Sequence, residues 1–299
     1  MTEKTIGKVS FRLREEQNFD WLKDEGEVFS VIDATGSGCI CFGVEKDGEK
    51  LFYKIAGAKT VEAEINEDES IALLKHAVRI TEDIKHPNLS APVRTFEKNE
   101  FFVAVYKWRN GDCLFDHWNF DKYEADSSLV KPADRFRALP VEKKLKAAEI
   151  ILDFMEQVHK SGYVAVDFYD GGVMYDFDTD TLALCDIDLY RKMPVINDAG
   201  EGWFGTKRLK APEENEKGAV IDERTNILTV AAFIHDMFWD YDPENIKERY
   251  EKGRFILPEK AFSLGKKAFE VIRKATAFDR EERFGSIAEF RKAFFEAVK

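Results

Sequence analysis

The sequence predicts an α+β protein in which a β-rich first part precedes a longer, mostly helical part. Most of the first hundred residues read as short apolar runs separated by glycine turns, which is typical of antiparallel hairpins. After residue 110 the apolar residues recur at helical spacing instead, most clearly over residues 141–162. We therefore predict two domains, over residues 1–109 and residues 110–299.

Composition restricts the class of function. The 299 residues carry a formal net charge of -12 and include 4 cysteines, none of them in C-x-x-C spacing. Such an acidic balance argues against nucleic acid or an anionic membrane as a partner, and the cysteines and histidines form no zinc pattern. The first residues are polar and no apolar run approaches the length of a membrane span, so we expect a cytoplasmic protein without a signal peptide.

The first domain is predicted to contain hairpins, one helix and further strands. An alternating run at residues 8–14 precedes two hairpin patterns, with a Gly-Ser-Gly turn within residues 28–44 and an Asp-Gly turn within residues 45–58. Residues 66–84 have apolar positions at roughly helical spacing. Residues 100–108 read as another strand.

The second domain is predicted to be helical around two short strands. Residues 141–162 read as a long amphipathic helix closed by glycine, and strands follow at residues 171–177 and 181–188. A glycine-rich loop over residues 197–214 precedes a core helix at residues 225–239, which is apolar on nearly every face. The rest of the domain reads as mostly helical.

One strand-turn-strand carries features of a phosphate-binding loop. Gly36, Ser37 and Gly38 form its turn, where glycines let backbone amides approach phosphate oxygens, and Lys54 on the next strand would supply a fixed positive charge. A lysine within an apolar strand is costly unless it meets an anion. Each feature also has a simpler interpretation. The turn would then only close a hairpin, and Lys54 would lie on the solvated face.

Seven aspartates lie between residues 162 and 190. Phosphoryl transfer from ATP needs one carboxylate near the acceptor hydroxyl and others that hold magnesium. Asp167 precedes a loop and a short strand, and Asp186 ends the next strand, so a hairpin would bring their loops together. For Asp170, Asp178 and Asp180 we favour turn formation and solvation.

Several short motifs follow one another along the chain: ATGSGCICFGV, FYKIAG, IKHPNL, VAVYKWRNGDCL, GYVAVDFYDGGVMYDF, LALCDIDLY, GTKRLKAPEE and DREERFGSIAEF. In this order they resemble segments of the protein kinase fold, over about residues 28 to 295. The segments are the glycine-rich loop, the strand with the ATP-binding lysine, the end of the αC helix, the hinge, the catalytic loop, the metal-binding segment, the end of the activation segment and a late helical segment. Their order and spacing together are more specific than any one motif.

The resemblance implies a two-lobe kinase-like fold, with a small β-rich N-lobe and a larger helical C-lobe. It implies ATP as the nucleotide and Mg²⁺ or Mn²⁺ as the metal, with Asp167 as the catalytic carboxylate and Asp186 as a metal ligand. It also implies an ion pair between Glu213 and Arg283. The positions that match the nucleotide-binding residues are Gly36, Ser37, Gly38, Lys54, Tyr106, Lys107 and Trp108.

The chain departs from the kinase pattern at several supporting positions. These are Cys41 for the third loop glycine, Ala77 for the αC glutamate, Val166 for the arginine before the catalytic aspartate, Tyr169 for the catalytic-loop lysine, Gly172 for the metal-binding asparagine and Asn226 for the core-helix aspartate. Loss of the arginine argues against activation through a phosphorylated loop residue. With Ala77 in place, Glu69 is the first candidate partner of Lys54, and Glu64 and Glu67 are others.

Asp188 is a candidate second metal ligand. It lies two residues after Asp186, and in a regular strand two such residues point to the same face. Asp188 would then replace the ligand that is missing at Gly172. The alternative is that the chain leaves the strand and Asp188 caps a turn.

Three functions stay open. The first is an atypical serine/threonine protein kinase of bacterial style, which retention of Lys54, Asp167 and Asp186 favours. The second is a pseudokinase that binds nucleotide or partner proteins as a scaffold, which the missing asparagine and αC glutamate favour. The third is a small-molecule kinase that resembles the aminoglycoside phosphotransferases, and the Ala-Pro-Glu segment argues against it. We expect an ATP-dependent enzyme with a protein substrate.

Overall fold

The computed structural model describes residues 1–116, 119–239, 255–256 and 259–299. Its combination of helices and antiparallel sheets confirms the α+β class. The chain forms two compact units, the first from Met1–Asp83 with Leu89–Asn110 and the second from Ile84–Asn88 with Gly111–Lys299. Among the described residues, no helix combines the length and the apolar character that crossing a membrane requires.

The first unit contains a hairpin, a five-stranded sheet and two helices. In chain order the elements are β1 (Thr2–Ile6), β2 (Val9–Leu13), α1 (Leu22–Glu25), β3 (Glu27–Ile32), β4 (Cys39–Lys46), β5 (Glu49–Ala56), α2 (Glu67–Asp83), β6 (Pro92–Lys98) and β7 (Phe101–Lys107). The sheet has the order β3-β4-β5-β7-β6, with antiparallel neighbours. The predicted hairpins, helix and β7 are present, whereas β1 and β6 were not predicted.

Strand alternation decides which face of this sheet packs against which element. Phe42 of β4 and Phe101 of β7 point to the face that the N-terminal segment covers, and the Phe19 ring stacks on Phe101 with centroids 4.7 Å apart. The opposite face carries Lys54, and there Leu74 of α2 packs against the sheet. The side chains that matter for the candidate site therefore lie on the α2 face.

The second unit is built on helices. Its elements are β8 (Asp112–Cys113), α3 (Phe120–Ala125), α4 (Pro132–Arg137), α5 (Val141–Lys160), β9 (Tyr163–Val164), β10 (Val173–Asp176), β11 (Thr181–Leu184), β12 (Arg191–Lys192), β13 (Val195–Ile196), β14 (Val220–Ile221), α6 (Glu223–Met237), α7 (Gly265–Ala275) and α8 (Ile287–Ala297). Helix α6 is buried along almost its whole length and packs on α5, α7 and α8, as a core helix should. Residues 240–254 and 257–258, part of the expected helical remainder, lie outside the described residues.

Two nested strand pairs bring two loops of the second unit together. Strand β10 pairs with β11, and β9 pairs with β12, in both cases antiparallel. The loop from residue 165 to 172 leaves β9 for β10, and the loop from residue 185 to 190 leaves β11 for β12. Because the two outer strands pair with each other and the two inner strands pair with each other, the two loops lie side by side. This is how the chain brings Asp167 near Asp186.

Candidate active site

The Gly-Ser-Gly turn of the first unit packs closely against helix α2, in addition to its predicted role in binding phosphate. Gly38 has φ +66°, a left-handed conformation that glycine adopts without strain. A Cβ on Gly38 would come within 3.1 Å of the Ser70 side chain, so the turn approaches α2 closely. Gly36 is exposed and Ser37 is half-buried. Gly38 is therefore required by the fold, and Gly36 and Ser37 remain accessible.

Lys54 lies half-buried in the middle of β5, between the buried side chains of Tyr53 and Ile55. In the register it stands opposite Cys41 of β4 and Ala104 of β7, both apolar. Lys54 is half-buried as a residue, so the anion-binding role and the alternative of a solvated face both stay predictions. A lysine with apolar neighbours on a sheet face carries the charge that an anion-binding role needs.

The acidic residues of α2 do not occupy its inward positions. Asn66 precedes the helix and its side chain accepts from the Glu69 backbone N–H at 2.9 Å, while the Glu69 carboxylate accepts from the Asn66 backbone N–H at 3.1 Å. This reciprocal pair is a capping box. The buried positions of the helix include Ser70, Leu74 and Ala77. Glu69 is thus engaged in starting the helix, and its pairing with Lys54 stays a prediction.

An aromatic cluster at the end of the sheet was missed by sequence reasoning. A Cβ on Gly43 would meet the ring of Phe29 at 2.7 Å and the ring of Trp108 at 2.8 Å, so these rings fill the place of a side chain. The Phe29 and Trp108 ring centroids are 4.9 Å apart, and Phe52 lies 6.3 Å from Trp108. Gly43 is paired with Phe52 in the register, two residues from the Cys41–Lys54 pair on the same face.

The three predicted hinge residues differ in their surroundings. Tyr106 is half-buried and its ring centroid lies 6.3 Å from that of Phe52, whereas Lys107 is exposed. The backbone N–H of Trp108 donates to the Lys50 carbonyl at 3.1 Å. That N–H is used within the sheet.

Asp167 occupies the loop after β9 in the second unit. Its backbone is left-handed, with φ 57°. Its Oδ1 accepts from the Thr206 backbone N–H at 2.8 Å and from the Thr206 hydroxyl at 2.9 Å. Burial, assisted by the nearby carboxylate of Asp186, raises the pKa of Asp167 to about 6, although Thr206 and Lys210 act to lower it. A carboxylate with this pKa is mostly ionised at neutral pH and accepts a proton more readily than an ordinary aspartate.

The core helix fixes the start of this loop. Asn226 of α6 is buried, and its side chain makes two hydrogen bonds to the backbone of Ala165. Its Oδ1 accepts from the Ala165 N–H at 2.7 Å, and its Nδ2 donates to the Ala165 carbonyl at 2.7 Å. An asparagine can do both because its amide carries a donor and an acceptor. The position of Asp167 is thereby tied to the unit's buried centre.

Asp186 is exposed and also left-handed, with φ 57°. Its Oδ2 accepts from the Tyr169 hydroxyl at 3.0 Å. The neighbouring Gly172 offers no side chain, and a Cβ there would lie 3.0 Å from the Cys185 carbonyl oxygen and 3.8 Å from the Asp186 Cβ. The position expected to carry an asparagine is therefore close to Asp186, but it contributes no ligand.

The strand argument for Asp188 is wrong. Strand β11 ends at Leu184, so neither Asp186 nor Asp188 belongs to it, and the left-handed backbone at Asp186 breaks the alternation. The two side chains differ accordingly, because Asp186 is exposed and Asp188 is buried, with 8% of its surface accessible. A metal role for Asp188 stays a prediction without support from a shared strand face.

Turn formation and solvation are the wrong explanation for Asp170. Its carboxylate is largely buried and forms an ion pair with Arg208, which also pairs with Asp236 of α6 at 3.1 Å. Burial raises the pKa of Asp170, while the Arg208 guanidinium acts in the opposite direction. Arg208 thus links the loop from residue 165 to 172 to the core helix α6.

The turn between β10 and β11 involves Asp178 and Asp180, for which we predicted turn formation and solvation, and Asp176, for which the sequence suggested no role. Asp176 Oδ1 accepts from the backbone N–H of Asp178 at 2.9 Å and closes the turn between β10 and β11. Asp178 is exposed. Asp180 has φ 53°, accepts from the Tyr175 hydroxyl at 3.1 Å and pairs with Lys143 at 2.6 Å. These side chains stabilise a turn and its contact with α5.

The predicted ion pair between Glu213 and Arg283 is present. Arg283 Nη1 and Nη2 donate to the two carboxylate oxygens of Glu213 at 2.7 and 3.1 Å, and both side chains are buried. Burial alone would raise the pKa of Glu213, but the guanidinium overcomes it and holds that pKa below its ordinary value. A bidentate, buried pair of this kind fixes the end of the 197–214 loop.

The described residues contain no group of three or more His, Cys, Asp or Glu side chains arranged to hold a metal ion. Mg²⁺ is usually bound through one or two carboxylates together with waters and substrate phosphates. The exposed carboxylate of Asp186 beside Asp167 has the chemistry for that mode. These residues therefore fit a metal that arrives with a phosphate ligand.

Comparisons with known proteins give no family for this chain. No protein-family model matches it, and no curated protein matches it.

Proposed function

We propose that this chain is a metal-dependent protein kinase of the atypical serine/threonine type, with a kinase-like two-lobe fold. The observation that carries the proposal is the state of Asp167. This carboxylate is held by two hydrogen bonds from Thr206, lies near Asp186 and has a pKa raised to about 6. A general base near neutral pH needs both the fixed position and the raised pKa.

The proposed reaction moves the γ-phosphoryl group of ATP to a protein hydroxyl. The hydroxyl oxygen forms a bond to the γ-phosphorus, and the bond between that phosphorus and the oxygen bridging to the β-phosphorus breaks, which releases ADP. Asp167 orients the hydroxyl and accepts its proton. Thr206 holds Asp167 Oδ1, so Oδ2 is the oxygen that would face the acceptor.

Nucleotide binding is assigned to the first unit. Gly36, Ser37 and Gly38 would offer backbone amides to the phosphates, and Lys54 would supply a positive charge. The metal, Mg²⁺ or Mn²⁺, would offset charge on the phosphate oxygens when bound, with Asp186 as its ligand and Asp188 as the candidate second one. The base would meet the hinge residues Tyr106, Lys107 and Trp108.

A scaffold without catalysis is the second candidate, and the aromatic cluster favours it. The rings of Phe29 and Trp108 fill the space beside Gly43, on the sheet face that carries Lys54. Rings in that place reduce the room for a base. With Gly172 and Ala77 at two supporting positions, the chain would bind a protein partner, with or without nucleotide, and transfer nothing.

Thermal unfolding with nucleotide separates proteins that bind ATP from those that do not. A ligand that binds only the folded state raises the melting temperature, and at a hundred times its Kd it stabilises by about 2.7 kcal/mol. We expect ATP with Mg²⁺ or Mn²⁺ to raise the melting temperature and Lys54→Ala to reduce that shift. Lys46→Ala, an exposed lysine of the neighbouring strand, is the matched control.

Three outcomes of this measurement are distinct. A shift that depends on Lys54 and not on Lys46 supports nucleotide binding through the assigned strand. A shift that both variants retain removes Lys54 from the site. No shift at millimolar nucleotide with either metal rejects the kinase and leaves a scaffold that works without nucleotide.

A further inference from the structure

Tyr169 has a defined contact that the kinase resemblance does not explain. The resemblance expects a lysine here, two residues after Asp167. Instead the Tyr169 hydroxyl donates to Asp186 Oδ2 at 3.0 Å. A phenol is a neutral donor at neutral pH, whereas lysine would bring a full positive charge. The contact joins the two loops that the nested strand pairs bring together.

Gly171, two residues after Tyr169, leaves the space that the Tyr169 ring occupies. A Cβ on Gly171 would come within 2.3 Å of ring atom Cε2, 2.6 Å of Cζ and 2.8 Å of the hydroxyl oxygen. Any side chain at residue 171 would therefore have to displace the ring. The Phe115 ring approaches from another direction, edge-on, with centroids 6.5 Å apart. These contacts limit where the hydroxyl can point.

The carboxylate that Tyr169 contacts lies at the surface. Asp186 is exposed and belongs to the loop from residue 185 to 190, outside any strand or helix. The groups that hydrogen-bond to a metal-binding carboxylate orient it, and their loss typically costs about 10- to 100-fold in metal affinity. A carboxylate oxygen can accept a hydrogen bond and still coordinate an ion, because it has two lone pairs.

We propose that Tyr169 is a positioning residue, which holds the Asp186 carboxylate in the orientation that binds the metal of the proposed transfer reaction. This inference rests on the proposed function. Tyr169 would act on the metal through Asp186 and would not itself touch the metal. Gly171 would serve the same end by leaving room for the ring.

The test measures metal affinity rather than turnover. The full chain is titrated with Mn²⁺ in the presence of the nonhydrolysable nucleotide AMP-PNP, and bound Mn²⁺ is read by electron paramagnetic resonance. We expect Tyr169→Phe to weaken Mn²⁺ binding by about 10-fold or more. Tyr175→Phe is the matched control, because it removes a hydroxyl that donates to Asp180 at 3.1 Å, and it should leave the affinity unchanged.

Gly171→Ala provides an independent variant. Its Cβ would push the Tyr169 ring away without removing the hydroxyl, so Mn²⁺ binding should weaken as it does in Tyr169→Phe. The double variant should bind no more weakly than Tyr169→Phe, because both changes break one hydrogen bond and their effects should not add. Circular dichroism and melting curves check that each variant is folded.

The results distinguish failure of this inference from failure of the proposed function. Equal Mn²⁺ affinity in the parent and Tyr169→Phe would remove Tyr169 from the site and leave the kinase proposal standing. Full additivity in the double variant would also contradict the shared mechanism. A parent chain that binds AMP-PNP but no Mn²⁺ would overturn the metal-dependent function and this inference together.

Discussion

Asp167 and Asp186 share an uncommon backbone conformation. Each has φ 57°, a conformation that few non-glycine residues adopt, although aspartate tolerates it better than most. Asp167 is in addition partly buried with another carboxylate nearby, which disfavours its charged form. Strained backbone and buried charge concentrate at functional sites. Catalysis needs the charged group there, although its burial lowers the stability of the fold.

Replacing Asp167 with asparagine should therefore stabilise the protein at neutral pH. The pKa of Asp167 is raised from 3.8 to about 6 in the folded chain. Its contribution to stability is thus fully present below pH 3.8 and is lost as the pH rises through about 6. The asparagine amide keeps an acceptor for Thr206 and carries no charge, so we expect Asp167→Asn to add about 1–3 kcal/mol to the free energy of unfolding at pH 7.

Urea unfolding of both chains over a range of pH measures this effect. The advantage of Asp167→Asn should grow between about pH 4 and pH 6 and level off above. A variant that is less stable than the parent by the same amount at every pH would mean that the charge of Asp167 carries no cost.

Ion pairs and hydrogen bonds hold the segment between β13 and β14. Arg208 pairs with Asp236 and Asp170, and the buried Lys210 ammonium donates to the carbonyls of Glu201 and Trp203 at 3.0 and 2.6 Å. The last part of this segment is fixed by the ion pair between Glu213 and Arg283. Together these contacts tie the segment to α6 and to the chain around Arg283.

The ion pair at the end of this segment should be costly to break. Arg283→Ala would leave the Glu213 carboxylate buried without its partner, and it would also remove donors from the carbonyls of Ala277, Arg224 and Phe278. Loss of one member of a buried pair typically costs about 3–5 kcal/mol. Arg273→Ala removes an exposed pair with Glu270 and should cost about 0.5 kcal/mol or less.

Denaturant unfolding of the parent and the two arginine variants measures how much each change lowers the free energy of unfolding. We expect a large loss in the free energy of unfolding for Arg283→Ala and almost none for Arg273→Ala. Similar small losses in both would mean that the segment is held elsewhere and that the bidentate pair is not one of its main anchors.

At the scale of the whole molecule, elements were easier to predict from the sequence than contacts. Hairpins and helices follow from local periodicity and turn residues, and the Asp47-Gly48 turn and the buried helix α6 are where those signals place them. The nearness of Asp167 and Asp186 followed from the hairpin between them. Strands β1 and β6 were missed because their exposed positions break any clear apolar alternation.

Other features depend on distant partners and carry no local signal. The burial of Asp170 requires Arg208 and Asp236, which lie far along the chain. The ring of Trp108 fills the space beside Gly43 only because the sheet brings β4 next to the end of β7 through β5. The prediction that Asp186 and Asp188 share one strand face is wrong, because nothing in the sequence marks the left-handed backbone at Asp186.

The most direct test of the proposed kinase is transfer of the γ-phosphoryl group itself. The purified chain is incubated with γ-labelled ATP, Mg²⁺ or Mn²⁺ and generic protein acceptors, beside Asp167→Asn, and label on protein hydroxyls is counted from about pH 5 to pH 8. We expect label from the parent at a rate that falls as the pH drops through about 6, where Asp167 takes up a proton. Asp167→Asn should keep its nucleotide affinity and lose at least about 100-fold in rate. Nucleotide binding without any label, or a variant as fast as the parent, would contradict the assignment of Asp167 as the catalytic base.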